Sequence, residues 1–239
     1  MALPRINETL QFSMTIPSTG ETVKYRPYLV KEEKILLQAF ESKDTAMCLQ
    51  AMSDTIAACL DPNANVDVSR LATFDIEFMF TQLRAKSVGE TSTIVIRCKN
   101  KECHHGNEFS IDLDALTVDV PKGKNIIKIT DNISVEMRYP TYDSLVSGDV
   151  ENTQNDMNGA LKLLCGCIAA VLTDEERIDT SGQSEEELME FLQSMTATQM
   201  KSLTEFLQDM PALTHTAQFK CEKCGTDNEL ELKGLSDFF

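Results

Sequence analysis

The sequence predicts an α+β protein built from two diverged repeats, each with a β-hairpin, helices and a strand pair around closely spaced cysteines. Two observations support this class: alternating apolar and polar residues open each half, and segments with apolar residues at helical spacing follow. A third is that each half ends on a cysteine pair between strand-like segments. We place the repeats at residues 1–120 and 121–239, packed as one compact unit and joined at a shared zinc-ribbon-like site.

The first repeat begins with a predicted hairpin. Residues 9–16, "TLQFSMTI", alternate between apolar and polar side chains, which is typical of a half-buried strand. "PSTGE" then forms a turn in which Gly20 can adopt a positive φ. "TVKYRP" returns as the second strand and ends at Pro27.

Three predicted helices follow the first hairpin. Residues 29–42 place Ile35, Leu36, Ala39 and Phe40 on one apolar side, and residues 44–60 form the second helix. The third runs from about Thr73 to Lys86 and ends near Gly89.

The second repeat is predicted to follow the same order. "NIIKI" and "ISVEMRYP" form its hairpin, and a helix lies within residues 143–172. The acidic segment 173–187 is expected to be a mobile linker. Two short helices, 184–195 and 196–210, lead to a final strand pair.

Four cysteines are the candidate metal ligands. We call residues 96–109, "IRCKNKECHHGNEF", the first knuckle, and residues 219–230, "FKCEKCGTDNEL", the second knuckle. Each contributes half of a tetrahedral site, and four thiolates suit a closed structural zinc site. If the repeats meet, the ligands of one zinc are Cys98, Cys103, Cys221 and Cys224.

Alternatives to this ligand set stay open at the level of sequence. His104 or His105 could replace Cys103 as a ligand, because the first knuckle has the looser spacing. A redox role for Cys221 and Cys224 needs a strand-to-helix turn, whereas an alternating strand follows here. Unliganded thiols are the remaining alternative. Cys48, Cys59, Cys165 and Cys167 are interpreted as packing residues.

Composition narrows the function classes. The net charge of −16 argues against binding to a nucleic-acid backbone and suits solubility, or a partner with a basic surface. No apolar window has the length of a membrane span. Phosphate loops, G-x-S-x-G and H-E-x-x-H motifs are missing from the sequence, so we expect no enzymatic activity.

Three blocks of the chain resemble a known family. They are residues 3–42, which begin "LPRINETLQFSMTIPSTG", residues 71–90, "LATFDIEFMFTQLRAKSVGE", and the C-terminal Cys-x-x-Cys with its acidic strand. They are similar to the baseplate hub assembly proteins of T-even-type contractile-tailed bacteriophages. The helical part at about 141–210 matches only loosely.

The resemblance implies a chaperone-like assembly factor that binds a baseplate hub protein in the cytoplasm of the infected cell. The alternative that it implies is a hub subunit retained in the virion tail. It supplies no catalytic residues and does not name the hub partner or the oligomeric state. The zinc site is predicted from this sequence rather than from the family.

Overall fold

The computed structural model describes residues 10–42, 44–121, 123–141 and 157–238, and the chain has the α+β character that the sequence predicts. Six α-helices lie within these residues: α1 Val30–Ser42, α2 Thr45–Cys59, α3 Thr73–Ser87, α4 Met157–Cys167, α5 Glu185–Gln193 and α6 Ala197–Gln208. The strands of the same residues are β1 Phe12–Thr15, β2 Thr22–Tyr25, β3 Thr91–Arg97, β4 Gly106–Asp112, β5 Ile126–Lys128, β6 Ile133–Met137, β7 Ile168–Thr173, β8 Arg177–Asp179, β9 Thr214–Lys220 and β10 Asp227–Lys233.

All strand pairs are antiparallel, and the sheets are small. Strands β1 and β2, β3 and β4, and β9 and β10 form three two-stranded sheets, while β5, β6, β7 and β8 form one sheet in that order. Two-stranded sheets are marginal alone, so each needs an apolar face covered by other elements.

Contacts divide the chain into two units. The first contains residues 1–68, 74–119 and 212–239, and the second contains residues 69–73 and 120–211. Residues 212–239 therefore pack with the first unit, although they belong to the predicted second repeat. The division into repeats at residues 1–120 and 121–239 concerns ancestry rather than contacts, and it stays a prediction.

One apolar cluster explains why the C-terminal segment joins the first unit. It is formed by side chains of α3, β3, β4, β9, β10 and the segments beside them: Ala85, Ile96, Ile111, Leu113, Leu116, Leu213, Ala217, Leu232 and Phe238. The Phe109 and Phe219 rings meet at 6.0 Å, and the Ser92 hydroxyl donates to the Phe238 carbonyl at 2.6 Å. The two strand pairs that carry the knuckles thus share one core.

The first hairpin forms as predicted. Gly20 has φ 71°, and its N–H donates to the Ile16 carbonyl at 2.8 Å, which closes the turn. Met14 and Ile16 are buried, but Leu10 is exposed and precedes β1. The apolar face predicted for residues 9–16 is therefore shorter than expected.

The apolar side predicted for α1 is partly wrong. Leu36 and Ala39 are buried together with Glu32, whereas Ile35 and Phe40 are exposed. The reason is a tertiary ion pair that turns Glu32 inward. Arg26 Nη2 donates to Glu32 Oε1 at 2.8 Å, and the Leu29 N–H donates to Glu32 Oε2 at 2.9 Å.

A substitution of Glu32 tests this buried carboxylate. Burial favours its neutral form, but hydrogen bonds from Arg26, the Leu29 N–H and Lys31 outweigh burial and lower its pKa below 4.5. Its contribution to stability is therefore present above about pH 4.5 and is lost as the pH falls through the folded pKa. We expect Glu32→Gln to cost about 2 kcal/mol of unfolding free energy at pH 7.

Urea unfolding from pH 7 to pH 3 measures this effect. The difference in unfolding free energy between wild type and Glu32→Gln should become smaller below about pH 4.5. Glu33→Gln, which removes the same charge one residue later, is the matched control. If this difference in unfolding free energy were as large at pH 3 as at pH 7, the Glu32 carboxylate would not be the stabilising group.

The second unit packs its helices on the four-stranded sheet. Its buried cluster combines residues of β6, α4, β7, α5 and α6: Val135, Met137, Leu164, Cys165, Cys167, Ile168, Leu192 and Leu203. The helices α5 and α6 both begin with a capping box, at Ser184 with Glu187 and at Thr196 with Gln199.

A helix lies within residues 143–172 as predicted, at Met157–Cys167, but the strand that follows it was not predicted. Ile168–Thr173 is strand β7, which pairs with β6 and β8. Residues 142–156 lie outside the described part of the chain. The segment 173–187, expected to be a linker, contains β8, because pairing with β7 overrides its polar composition.

The arginines that directly follow the β1–β2 and β5–β6 hairpins each bind the C-terminal end of a helix in the same way. The Arg26 N–H donates to the Cys59 carbonyl at 2.9 Å, and its Nη2 donates to the Ala58 carbonyl at 3.0 Å. In the second unit, the Arg138 N–H donates to the Cys167 carbonyl at 2.7 Å, and its Nε donates to the Gly166 carbonyl at 2.8 Å. Each arginine thus satisfies carbonyls that a helix end leaves unpaired.

Candidate metal centre

The four predicted ligands come together in the first unit. The sulfur atoms of the four cysteines all lie within 4.8 Å of one another: Cys98, Cys103, Cys221 and Cys224. Two separations between one knuckle and the other are 3.7 Å from Cys98 to Cys224 and 3.9 Å from Cys103 to Cys221. All eight cysteines are free thiols.

The spacing of the sulfurs fits a tetrahedral metal. Thiolates bound to zinc at about 2.3 Å occupy the corners of a tetrahedron whose edges are about 3.8 Å. The two short separations agree with such an edge. The cluster is therefore compatible with a four-thiolate metal site, and within the described residues it is the one group of three or more ligating side chains.

The histidines are not part of this cluster. Within the described residues, the group that can hold a metal consists of cysteines alone, including Cys103. His104 is exposed, with a left-handed backbone at φ 46°. The loose spacing of the first knuckle thus reflects a longer turn, and it does not need a histidine ligand.

Each knuckle closes its turn with an equivalent backbone hydrogen bond. The Cys98 N–H donates to the His105 carbonyl at 2.8 Å, and the Cys221 N–H donates to the Thr226 carbonyl at 2.9 Å. The residue after the second cysteine is left-handed in both knuckles, His104 at φ 46° and Gly225 at φ 71°. Glycine takes this conformation freely, whereas other residues pay about 1 kcal/mol or more.

Exchanging these two residue types tests the conformational role. We expect Gly225→Ala to cost about 1 to 2 kcal/mol, because alanine is strained at this φ. His104→Gly should not lower stability and should leave the metal content unchanged, because His104 acts through its backbone. Thermal unfolding together with metal analysis of both variants measures this. Loss of metal in His104→Gly would instead make His104 a ligand.

Two buried asparagines tie the knuckles to each other. Asn107 Oδ1 accepts the Glu222 N–H at 3.0 Å, and Asn228 Oδ1 accepts the Lys99 N–H at 2.8 Å. Lys99 and Glu222 directly follow the first cysteine of their knuckles. Each asparagine thus holds the backbone beside a ligand of the opposite knuckle.

The other end of each carboxamide binds its own knuckle. Asn107 Nδ2 donates to the His105 carbonyl at 3.0 Å, and Asn228 Nδ2 donates to the Thr226 carbonyl at 2.8 Å. The same carbonyls accept the first cysteine's N–H. The hydrogen bonds of one knuckle are therefore repeated in the other, which is the pattern of a local twofold axis.

Sequence reasoning missed these asparagines. A signal was present, because each lies four residues after the second cysteine of its knuckle and precedes a glutamate, in "HGNEF" and "TDNEL". Asparagine in a polar turn is common, so the pattern gains meaning only once both side chains are seen to be buried.

The cysteines of the cluster differ in pKa. Hydrogen bonds from the Thr226 hydroxyl and N–H lower the pKa of Cys224 to about 6, and backbone N–H groups of the turn lower that of Cys221. A backbone hydrogen bond at His105 favours the Cys103 thiolate, but burial and the neighbouring sulfurs raise its pKa to about 11. A divalent cation would neutralise the thiolates and displace the remaining protons.

The other four cysteines are not part of the sulfur cluster. Cys59, Cys165 and Cys167 are buried, as predicted for packing residues, and burial raises the pKa of Cys59 to about 11 and that of Cys167 to about 12. Cys48 is partly buried, and its thiol donates to the Ala39 carbonyl at 3.3 Å.

The fold and the site together define an α+β protein in which two strand-turn-strand knuckles bring four cysteines to one point. The chain belongs to the family described as T4 bacteriophage base plate protein, whose family model matches residues 9–239. The resemblance to baseplate proteins is thereby confirmed, and a role in the phage baseplate follows from the membership. A comparison with curated proteins and another with solved structures each found no match. None of the helices in the described part of the chain has the length and apolar character that crossing a bilayer requires.

Proposed function

We propose that this chain is a non-enzymatic assembly factor of the phage baseplate, which binds a hub protein in the host cytoplasm while the tail is built. The observation that carries this proposal is the family match, because it spans residues 9–239 and so includes both units and both knuckles. A closed four-thiolate site supports it, since such a site leaves no coordination position for a substrate.

The metal at this site is zinc in our proposal, held by Cys98, Cys103, Cys221 and Cys224. Four soft, charged donors near tetrahedral spacing favour zinc over the hard cations that prefer oxygen ligands. When bound, the zinc would cross-link residues more than 100 positions apart in the sequence, because residues 120–211 separate the two knuckles along the chain.

The two knuckles also support a duplication. We take the two halves as diverged copies of one ancestral unit, because Asn107 and Asn228 make matching hydrogen bonds. The contacts of Arg26 with Cys59 and of Arg138 with Cys167 match in the same way. Independent origins would not require the same interactions at the same offsets from both hairpins and both cysteine pairs.

Purification from infected cells tests the assembly role. A tagged full-length chain should copurify with a baseplate hub protein during tail assembly and be missing from purified phage particles. Mass spectrometry of both samples measures this. Stoichiometric amounts in mature particles would favour the alternative, a hub subunit retained in the virion. If the tagged chain copurifies with no baseplate protein, both the assembly factor and the hub subunit are excluded.

A further inference from the structure

An apolar groove in the first unit has no part in the metal centre. It lies between α1, α2 and α3, encloses roughly 730 Å³, and is lined largely by carbon atoms of Leu37, Phe40, Met52, Phe80 and Val88. The Phe40 and Phe80 rings meet edge to face at 6.3 Å, which joins α1 to α3 beside the groove.

The groove leaves large apolar side chains in water. Leu37 is 56% exposed and Phe40 43%, both on α1, and Val88, directly after α3, is 59% exposed. Val30, Ile35 and Met47 are also exposed on α1 and α2. Apolar side chains clustered in this way mark a contact surface rather than ordinary scatter.

The length of the groove suits a short helix. Glu77, Phe80 and Arg84 of α3 line it at helical spacing, and Val88, directly after α3, continues the stripe. The eleven steps from residue 77 to residue 88 rise about 16 Å in an α-helix, the length of three helical turns. A partner helix of that size laid along the stripe would cover Leu37 and Val88 together.

The charged side chains that line the groove favour a partner that carries a positive charge. Glu77 accepts a hydrogen bond from the Leu235 N–H, and burial raises the pKa of its carboxyl group. Among the described residues no ion pair reaches Glu77, and the lining holds a second carboxylate, Glu33, against one guanidinium, that of Arg84. The groove thus has one carboxylate more than it has cations, and a cation from the partner could form a charge-assisted hydrogen bond with Glu77 in a half-buried site.

We infer that the groove binds an amphipathic helix of another protein, about three turns long, with a lysine or arginine placed to reach Glu77. The inference rests on the proposed function, since it names the surface and the chemistry through which a partner is recognised. A second copy of the chain does not fit, because two chains of net charge −16 repel each other.

A model peptide tests the groove directly. A fluorescein-labelled 15-residue helix of leucine and lysine in amphipathic order is titrated with the full-length protein in 150 mM NaCl, with anisotropy as the readout. We expect saturable binding at micromolar concentration. The double variant Leu37→Ser with Val88→Ser should bind at least tenfold more weakly, and Glu77→Gln several-fold more weakly. The same helix with glutamate in place of lysine should not bind.

Matched controls separate the groove from general charge attraction. Leu230→Ser with Val95→Ser removes the same two residue types, also exposed, from β10 and β3, and Glu231→Gln removes an exposed carboxylate of β10. Both should bind the peptide as wild type does. Equal binding by the groove variant and its control would overturn the inference, as would the absence of any binding. A dimer of the wild type that the groove variant abolishes would also overturn it, in favour of a second copy.

The experiments distinguish a failure of the groove inference from a failure of the proposed assembly role. If the groove variant still copurifies with the hub protein from infected cells, the groove inference is wrong and the assembly role stands. If the wild type copurifies with no baseplate protein although the peptide binds as expected, the assembly role is wrong.

Discussion

We expect Cys98→Ser to release the zinc proposed for this centre and to lower the unfolding free energy about as much as Cys224→Ser does, because both sulfurs belong to one cluster. They come from different knuckles and lie 3.7 Å apart. Structural zinc contributes apparent energies of about 10 to 16 kcal/mol in zinc-finger peptides, so we expect a loss of at least about 4 kcal/mol in either variant. Metal analysis of untagged protein should find about one zinc per chain in the wild type.

The control for this experiment is Cys48→Ser. Cys48 lies on α2 in the same unit but outside the sulfur cluster, so its variant should keep its zinc. Two zinc ions per chain, or none under reducing conditions, would contradict a shared site. A Cys98→Ser variant with wild-type stability would mean that the first knuckle does not hold the metal.

The second large effect concerns the buried asparagines. Asn107→Ala and Asn228→Ala should each cost about 3 kcal/mol, because each leaves a backbone N–H of the opposite knuckle and a carbonyl of its own knuckle without a side-chain partner. The two costs should be similar, since the two sets of hydrogen bonds are equivalent. Denaturant unfolding of the metal-saturated protein measures both.

The metal itself gives an independent readout of these variants. Cobalt bound in place of zinc should keep the absorption of a four-thiolate site, because the four sulfurs remain, while its affinity falls by about 10- to 100-fold. Asn63→Ala changes an exposed asparagine of the same unit and is the matched control. A large effect at only one of the two asparagines would contradict the reciprocal arrangement of the knuckles.

Local patterns predicted much of the first unit. The alternation before Gly20 identified the first hairpin, and the spacing around Leu36 identified α1, although the buried face of that helix was partly wrong. The error at α1 has a physical cause. Arg26, which directly follows β2, binds the Glu32 carboxylate, so that Glu32 shares the buried face of α1 with Leu36 and Ala39, whereas Ile35 and Phe40 lie on the exposed side.

Patterns alone were least informative where strand pairing decides the structure. The segment Ile168–Thr173 has the apolar character of a helix continuation, and it becomes a strand because β6 and β8 supply hydrogen-bonding partners on both sides. The acidic composition of segment 173–187 likewise predicted a linker, because local composition does not show that β8 pairs with β7.

By itself, the sequence determined the α+β class, the identity of the four cysteines and the resemblance to phage baseplate proteins, because these depend on residue type and spacing over short stretches. Only the tertiary structure decided that residues 212–238 complete the core of the first unit, and that Asn107 and Asn228 hold the knuckles together. The partners in those contacts lie more than 100 residues apart, so their energies arise only when the folded chain brings them together.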